Sequence, residues 1–127
     1  MPLEQFTEQW AVLLKTKKRD GTWVATPVNL AVNGERAYFG APAKTGKVKR
    51  LRNFEDVEVA PCTPRGKPTG PNFTARARLL EGEEAATANR ALVRKHPFVH
   101  RLLVPLEIRI RRTRNLLYEL RDFSEAA

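Results

Sequence analysis

The chain has 127 residues, 42% hydrophobic and 29% charged, which excludes a disordered chain and suits one domain with one modest core. Lysine and arginine total 23 against 14 acidic residues; the net charge of +9 implies attraction to polyanions or phosphorylated ligands without choosing among them. A single cysteine, Cys62, excludes an internal disulfide and fits a reducing cytoplasm, and no apolar run approaches the roughly 18–20 residues that span a bilayer.

Residues 1–9 read as a short helical lead-in without the basic-then-apolar layout of a signal peptide. Trp10 to Lys17 alternates and predicts a first strand, with Trp10, Val12 and Leu14 on one face. Asp20-Gly21 tolerates the positive φ of a tight turn. Thr22 to Val32 then reads as one continuous second strand, with Val24, Thr26, Val28, Leu30 and Val32 on one face. Pro27 cannot donate to a ladder, so that strand has an edge or a bulge there, and the exposed backbone is open to a planar ligand. Asn33-Gly34 is the strongest hairpin signal in the chain and leads into a third strand, Glu35 to Ala41.

The next stretch carries the most chemistry. Five of the nine residues from Lys44 to Arg52 are basic (Lys44, Lys47, Lys49, Arg50, Arg52) and none is acidic. Thr45 suits a helix N-cap, and Val48 and Leu51 share one helical face. A helix start with free N–H groups, a hydroxyl and lysines is a ready anion site. The alternative is a solvated basic helix of no special function. Strands follow at Asp56–Thr63 and Asn72–Leu80, the second with Phe73, Ala75, Ala77 and Leu79 inward, separated by a Pro- and Gly-rich loop. Glu83 to Lys95 is a second helix with acids in its first turn and bases in its last, and His96-Pro97 ends it. Residues 98–104 fit a further helical turn. Leu106 to Arg112 alternates again and predicts a strand, as does Leu116 to Phe123. Residues 124–127 read as a frayed tail.

Other chemistries have little support. His96 and His100 have metal-ligand spacing, but no acid or cysteine stands beside them. Ser124 is the only serine, which argues against a serine triad. No Walker loop or dinucleotide-binding glycine motif is present. The basic clusters could suit a nucleic-acid-binding barrel, yet there is no zinc-finger spacing, no zipper and no aromatic stacking stripe.

The run Asp20-Gly21-Thr22 … Ala25-Thr26-Pro27-Val28 … Gly46-Lys47-Val48-Lys49-Arg50-Leu51-Arg52 … Val59-Ala60-Pro61-Cys62 resembles the pyridoxamine-phosphate-oxidase-like split-barrel family, and most of all its coenzyme F420-dependent branch. The resemblance extends from Phe6 to about Asp122. It implies a mainly β, six-stranded antiparallel split barrel with two or three short helices in one domain over residues 1–127, and a homodimer with FMN or a deazaflavin in a groove between subunits. It also implies that Thr45 and Lys47 hold the ligand phosphate with Lys44, Lys49 and Arg50 in support. The ring system is expected along Thr26, Pro27, Val28 and Asn29. Relatives often carry an aromatic residue where Asn29 stands, a hydroxyl residue near Ala41, and an acidic or small one near Lys44. The implied activity is F420-dependent hydride transfer to a small unsaturated acceptor. The alternatives are an FMN-dependent oxidoreductase of the same fold and a non-catalytic flavin or F420 binder.

Overall fold

The computed structural model describes Phe6, Gln9 and residues 11–125. Most of the expected lead-in helix lies outside the described residues. Seven strands form one curled antiparallel sheet: β1 (Ala11–Lys17), β2 (Trp23–Val28), β3 (Ala31–Asn33), β4 (Arg36–Pro42), β5 (Asp56–Cys62), β6 (Phe73–Leu79) and β7 (Asn115–Glu125). Their order across the sheet is β2-β1-β5-β6-β7-β4-β3.

That order accounts for the count of seven rather than the expected six. The single strand read over Thr22–Val32 is broken at Asn29–Leu30. Its first half pairs with β1, and its second half pairs with β4 at the opposite end of the sheet. Two residues thus join the two edges of the sheet and draw it into a half-barrel. The inward alternation survives the break, because Val28 and Leu30 both join the interior cluster and Val32 packs against it. Pro27 lies on an edge strand, where a missing donor costs least.

The interior holds Val12, Leu14, Phe39, Val59, Phe73 and Leu120, all fully buried. Phe6 joins them and meets the Phe73 ring edge-on at 5.5 Å. The hairpin at Asn33-Gly34 forms as expected, with Asn33 facing Arg36 across a two-residue loop and Gly34 at φ +64°.

Three helical segments decorate the sheet. Helix α1 (Gly46–Asn53) starts at Thr45, whose Oγ1 accepts from the Val48 N–H at 3.5 Å. Val48 and Leu51 are buried in the barrel interior cluster, as their spacing predicted. Helix α2 (Gly82–Lys95) seats Ala88 and Leu92 against Ala31, Tyr38 and Leu80 on the outer face. A π-helical turn, Val99–Leu103, runs directly into α3 (Val104–Arg111).

Three expectations change here. The stretch read as a strand over Leu106 to Arg112 is helical to Arg111, with Arg112 as its left-handed cap, and α3 buries none of its own residues. Leu79 is exposed, while Leu80 turns in beneath α2. The last strand continues to Glu125, so Ser124 and Glu125 are paired with Thr74 and Phe73 rather than frayed.

Candidate functional site

The break between β2 and β3 opens one side of a cleft of about 350 Å³. That volume falls within the range of small-molecule sites, roughly 300–1,000 Å³. Its walls come from seven places in the chain: Ala11 at the start of β1, Pro27, Val28 and Asn29 at the end of β2, Gly40 and Pro42 on β4, Asn115 at the start of β7, Lys47 on α1, the loop residue Pro64, and Val99, His100, Val104 and Glu107 on the third helical segment. Gly40 has no side chain for a structural reason. A Cβ there would stand 2.7 Å from the Asn115 Nδ2, so only glycine lets that amide lie against the strand.

Lys47 is the dominant charge. Burial pushes its ammonium pKa below the usual lysine range; nearby Arg50 adds to this and Glu107 opposes it. No hydrogen bond or ion pair to Lys47 is found among the described residues. A half-buried cation without a partner is costly unless an anion arrives to meet it. The walls around it are mostly apolar, which strengthens any such pairing.

The nine residues predicted for the site are distributed unevenly. Pro27, Val28, Asn29 and Lys47 come together on the cleft wall. Thr26, Lys44, Thr45, Lys49 and Arg50 are not part of that wall. Thr26 points away from Pro27 along the strand, and its buried Oγ1 has no hydrogen-bond partner. Lys44 and Lys49 are exposed. The Thr45 hydroxyl donates to the Pro42 carbonyl at 2.9 Å while it caps α1. Arg50 donates from Nε to the buried Thr16 Oγ1 at 2.6 Å. Its guanidinium folds back over the helix start, 2.8 Å from where a Cβ on Gly46 would stand. The α1 N-terminus therefore keeps a second cation close by.

Nine of the thirteen cleft-lining residues lay outside the predicted site, among them His100, Val104, Glu107 and Asn115. Glu107 was hidden by the mistaken strand, and Val104 stood in a stretch read only as a further helical turn. Asn115 carried no motif. His100 was weighed only as a metal ligand, and no group of three or more metal-ligating side chains exists among the described residues. His100 is 7% exposed, and neither ring nitrogen has a hydrogen-bond partner among the described residues. Burial lowers its pKa to about 4, with neighbouring His96 adding to the effect, so it is neutral at pH 7. The His96 ring lies 5.9 Å away, with its Nε2 3.4 Å from the Leu30 carbonyl.

No family model matches the chain, and no curated protein matches it in sequence. Solved structures do share its fold. Atu2129 of Agrobacterium tumefaciens, a protein of unknown function, superposes with a TM-score of 0.71 at 19% identity over 95% of this chain and 52% of that one. The chain thus spans about half the length of that protein. HutZ, the heme storage protein of Vibrio cholerae, gives 0.70 at 14% identity over 94% of this chain and 87% of that one. A structure described as an F420 reductase gives 0.60 at 14% identity over 98% and 93%. A pyridoxamine 5'-phosphate oxidase homologue of Listeria innocua gives 0.65 at 12% identity over 98% and 94%, and the likeness to all of these is one of fold. No helix among the described residues is long and apolar enough to cross a membrane.

Proposed function

We propose that the cleft binds a phosphorylated flavin-type cofactor, coenzyme F420 before FMN, and that the chain is a reductase acting on a small unsaturated acceptor. The observation that carries this reading is Lys47: a half-buried ammonium with no hydrogen bond or ion pair among the described residues, set in a largely apolar cleft beside the end of β2. An anion on an otherwise largely uncharged molecule is the complement of such a site. The Arg50 guanidinium at the start of α1 supports a phosphate there. Thr45, Lys44 and Lys49 border the same helix start and remain in the proposed phosphate site as its outer members. The strand end Thr26–Asn29 is the proposed bed for the rings. Both F420 and FMN carry a phosphate on a ribityl chain. The sequence resemblance and the F420 reductase among the structural neighbours favour the deazaflavin.

When bound, a reduced deazaflavin supplies the hydride. The residues of this chain then have modest tasks: Lys47 anchors the anionic end, Pro27 to Asn29 orient the ring plane, and Val99 and Val104 exclude water. A second copy of the chain is the proposed partner. Phe98, Leu102, Leu106 and Ile110 lie four residues apart along the third helical segment and are all exposed, on an element that also forms the cleft wall. Such a stripe suits a subunit contact that also encloses the site.

Titration of the purified protein with F420 and with FMN, followed by fluorescence quenching, tests the reading. Micromolar binding that weakens by roughly 10- to 100-fold in Lys47→Ala is expected from loss of one charge-assisted contact. Absence of binding to both cofactors would refute it. The second reading, a binder without turnover, is favoured by Asn29, which puts a small amide where relatives often have an aromatic group. It predicts binding without oxidation of the reduced cofactor across a panel of acceptors.

A further inference from the structure

We infer that His100 is a ligand-contacting residue of the cleft, which reads the polar edge of the bound ring through one donor and one acceptor nitrogen. The inference rests on the reading that the cleft takes a flavin-type ring, and it starts from an anomaly in the unliganded chain. His100 is 7% exposed, and both ring nitrogens lack a hydrogen-bond partner among the described residues. Buried polar atoms are almost always paired, so two orphans on one side chain require an explanation. A packing role is a poor one, because leucine or phenylalanine would fill the space without stranding two polar atoms.

Three further observations point at a ligand. His100 lines the same cleft as Lys47 and the end of β2. It stands in the π-helical turn Val99–Leu103, and π-turns inside helices concentrate at functional sites. Pro105 explains how the turn arises: it has no N–H to give to the carbonyl four residues back, and the ladder slips by one residue around it. The neighbouring His96 ring, by contrast, has the Leu30 carbonyl beside it at the strand break. The two imidazoles therefore differ, and only His100 is left with spare capacity.

The chemistry of the match is specific. A neutral imidazole offers one N–H and one lone pair. The pyrimidine-dione edge of flavins and deazaflavins alternates carbonyl and N–H groups, so it presents both complements. In the unliganded chain the nitrogens are inaccessible while the residue lines the cleft, so its ring carbons form the wall. Engagement turns the ring, and the irregular turn that carries it is the part of the helix best able to yield.

The chain has two histidines, so protein labelled with ¹⁵N-histidine gives a spectrum of only two rings. Saturation of the wild-type protein with F420 or FMN should move the His100 nitrogen resonances and leave those of His96 nearly in place. His100→Leu should weaken binding by roughly tenfold, with partial recovery in His100→Gln, which restores a donor and an acceptor. The spectrum needs no variant to fold. If the ligand saturates the protein, Lys47→Ala abolishes binding, and the His100 resonances stay still, this inference falls while the proposed function stands. If His100 responds but Lys47→Ala binds as tightly as wild type, the phosphate assignment falls and His100 stands. If neither cofactor binds, both fall.

Discussion

Two helical elements contribute walls to the cleft, and they are held in opposite ways. Helix α1 is fixed to the barrel. Thr45 caps it, Val48 and Leu51 sink into the interior cluster, and Arg50 reaches down to the buried Thr16. The segment from Phe98 to Arg111 has no such anchor in its second half. Helix α3 buries none of its residues; Ile110 on it stands 72% exposed, and Phe98 just ahead of the π-helical turn stands 64% exposed. Its side-chain ion pair, Glu107 with Arg111 at 3.2 Å, lies within the helix itself. The first element presents a rigid charge to the cleft. The second contributes a wall that has yet to be covered from outside. The cleft is thus half built by the fold and half by an element with an unfinished face.

The largest effect expected from this contrast is on folding stability. Leu51→Ala removes a buried side chain from under α1 and should destabilise the protein by about 2–4 kcal/mol. The same truncation at Leu106, which is exposed, should cost no more than about 0.5 kcal/mol when measured at concentrations low enough to leave the chain monomeric. Urea unfolding of the two variants side by side checks the contrast. Equal losses would mean that α3 is anchored after all.

The next effect is pH-dependent and tests the junction between the two halves. The His100 pKa in the folded chain is about 4, against 6.5 for an ordinary imidazole, because burial disfavours the charged ring. Between those values the unfolded chain takes up a proton that the folded chain refuses. Stability should therefore be full above about pH 6.5, fall as the pH drops, and level off below about pH 4. From pH 7 to pH 5 the expected loss is about 2 kcal/mol. Burial lowers the His96 pKa as well, so its contribution has the same sign. His100→Gln should remove most of the slope in unfolding measured at the two pH values. An unchanged slope would show that His100 is already charged or already exposed.

The same contrast explains what the sequence disclosed. Where an element presses on the core, its period can be read. Val48 and Leu51 marked the buried face of α1, and Val28, Leu30 and Val32 kept their inward phase through a strand break that their spacing did not reveal. Where an element buries nothing, period is a poor guide. Leu106, Ile108 and Ile110 alternate with Glu107, Arg109 and Arg111 as a strand would. The spacing that mattered was the longer one, Phe98, Leu102, Leu106, Ile110, four residues apart along a helix. Pro105 at the first turn of α3 was a usable signal for a helix start. The candidate site followed the same division. Lys47 and the end of β2 were legible because charge and proline have local meanings, whereas Asn115 and Glu107 reach the cleft only through tertiary placement.

A smaller effect should appear at the start of α1. The Thr45 hydroxyl accepts from Val48 N at a long 3.5 Å and donates to the Pro42 carbonyl at 2.9 Å. Thr45→Ala should cost about 1 kcal/mol, with Thr45→Ser close to wild type. If the hydroxyl also serves a bound phosphate, Thr45→Ala should weaken cofactor binding beyond the stability loss while Thr45→Ser retains it. A change in stability alone would leave Thr45 a cap and nothing more.

The smallest effect on the isolated chain belongs to Ile110, and it is the sharpest test of the uncovered face. Its side chain is the most exposed of the large apolar residues, so Ile110→Ser removes almost no burial within the subunit. Unfolding of the dilute monomer should shift by less than about 0.5 kcal/mol. Self-association should respond quite differently. Each large apolar side chain buried between subunits contributes on the order of 1.5–3 kcal/mol, and a two-fold contact loses two of them at once. Sedimentation velocity across a concentration series should therefore show wild type as a dimer and Ile110→Ser shifted towards monomer by about tenfold or more in concentration. If the variant dimerises as well as wild type, the partner subunit sits elsewhere on the barrel. The apolar stripe would then have no part in enclosing the cleft.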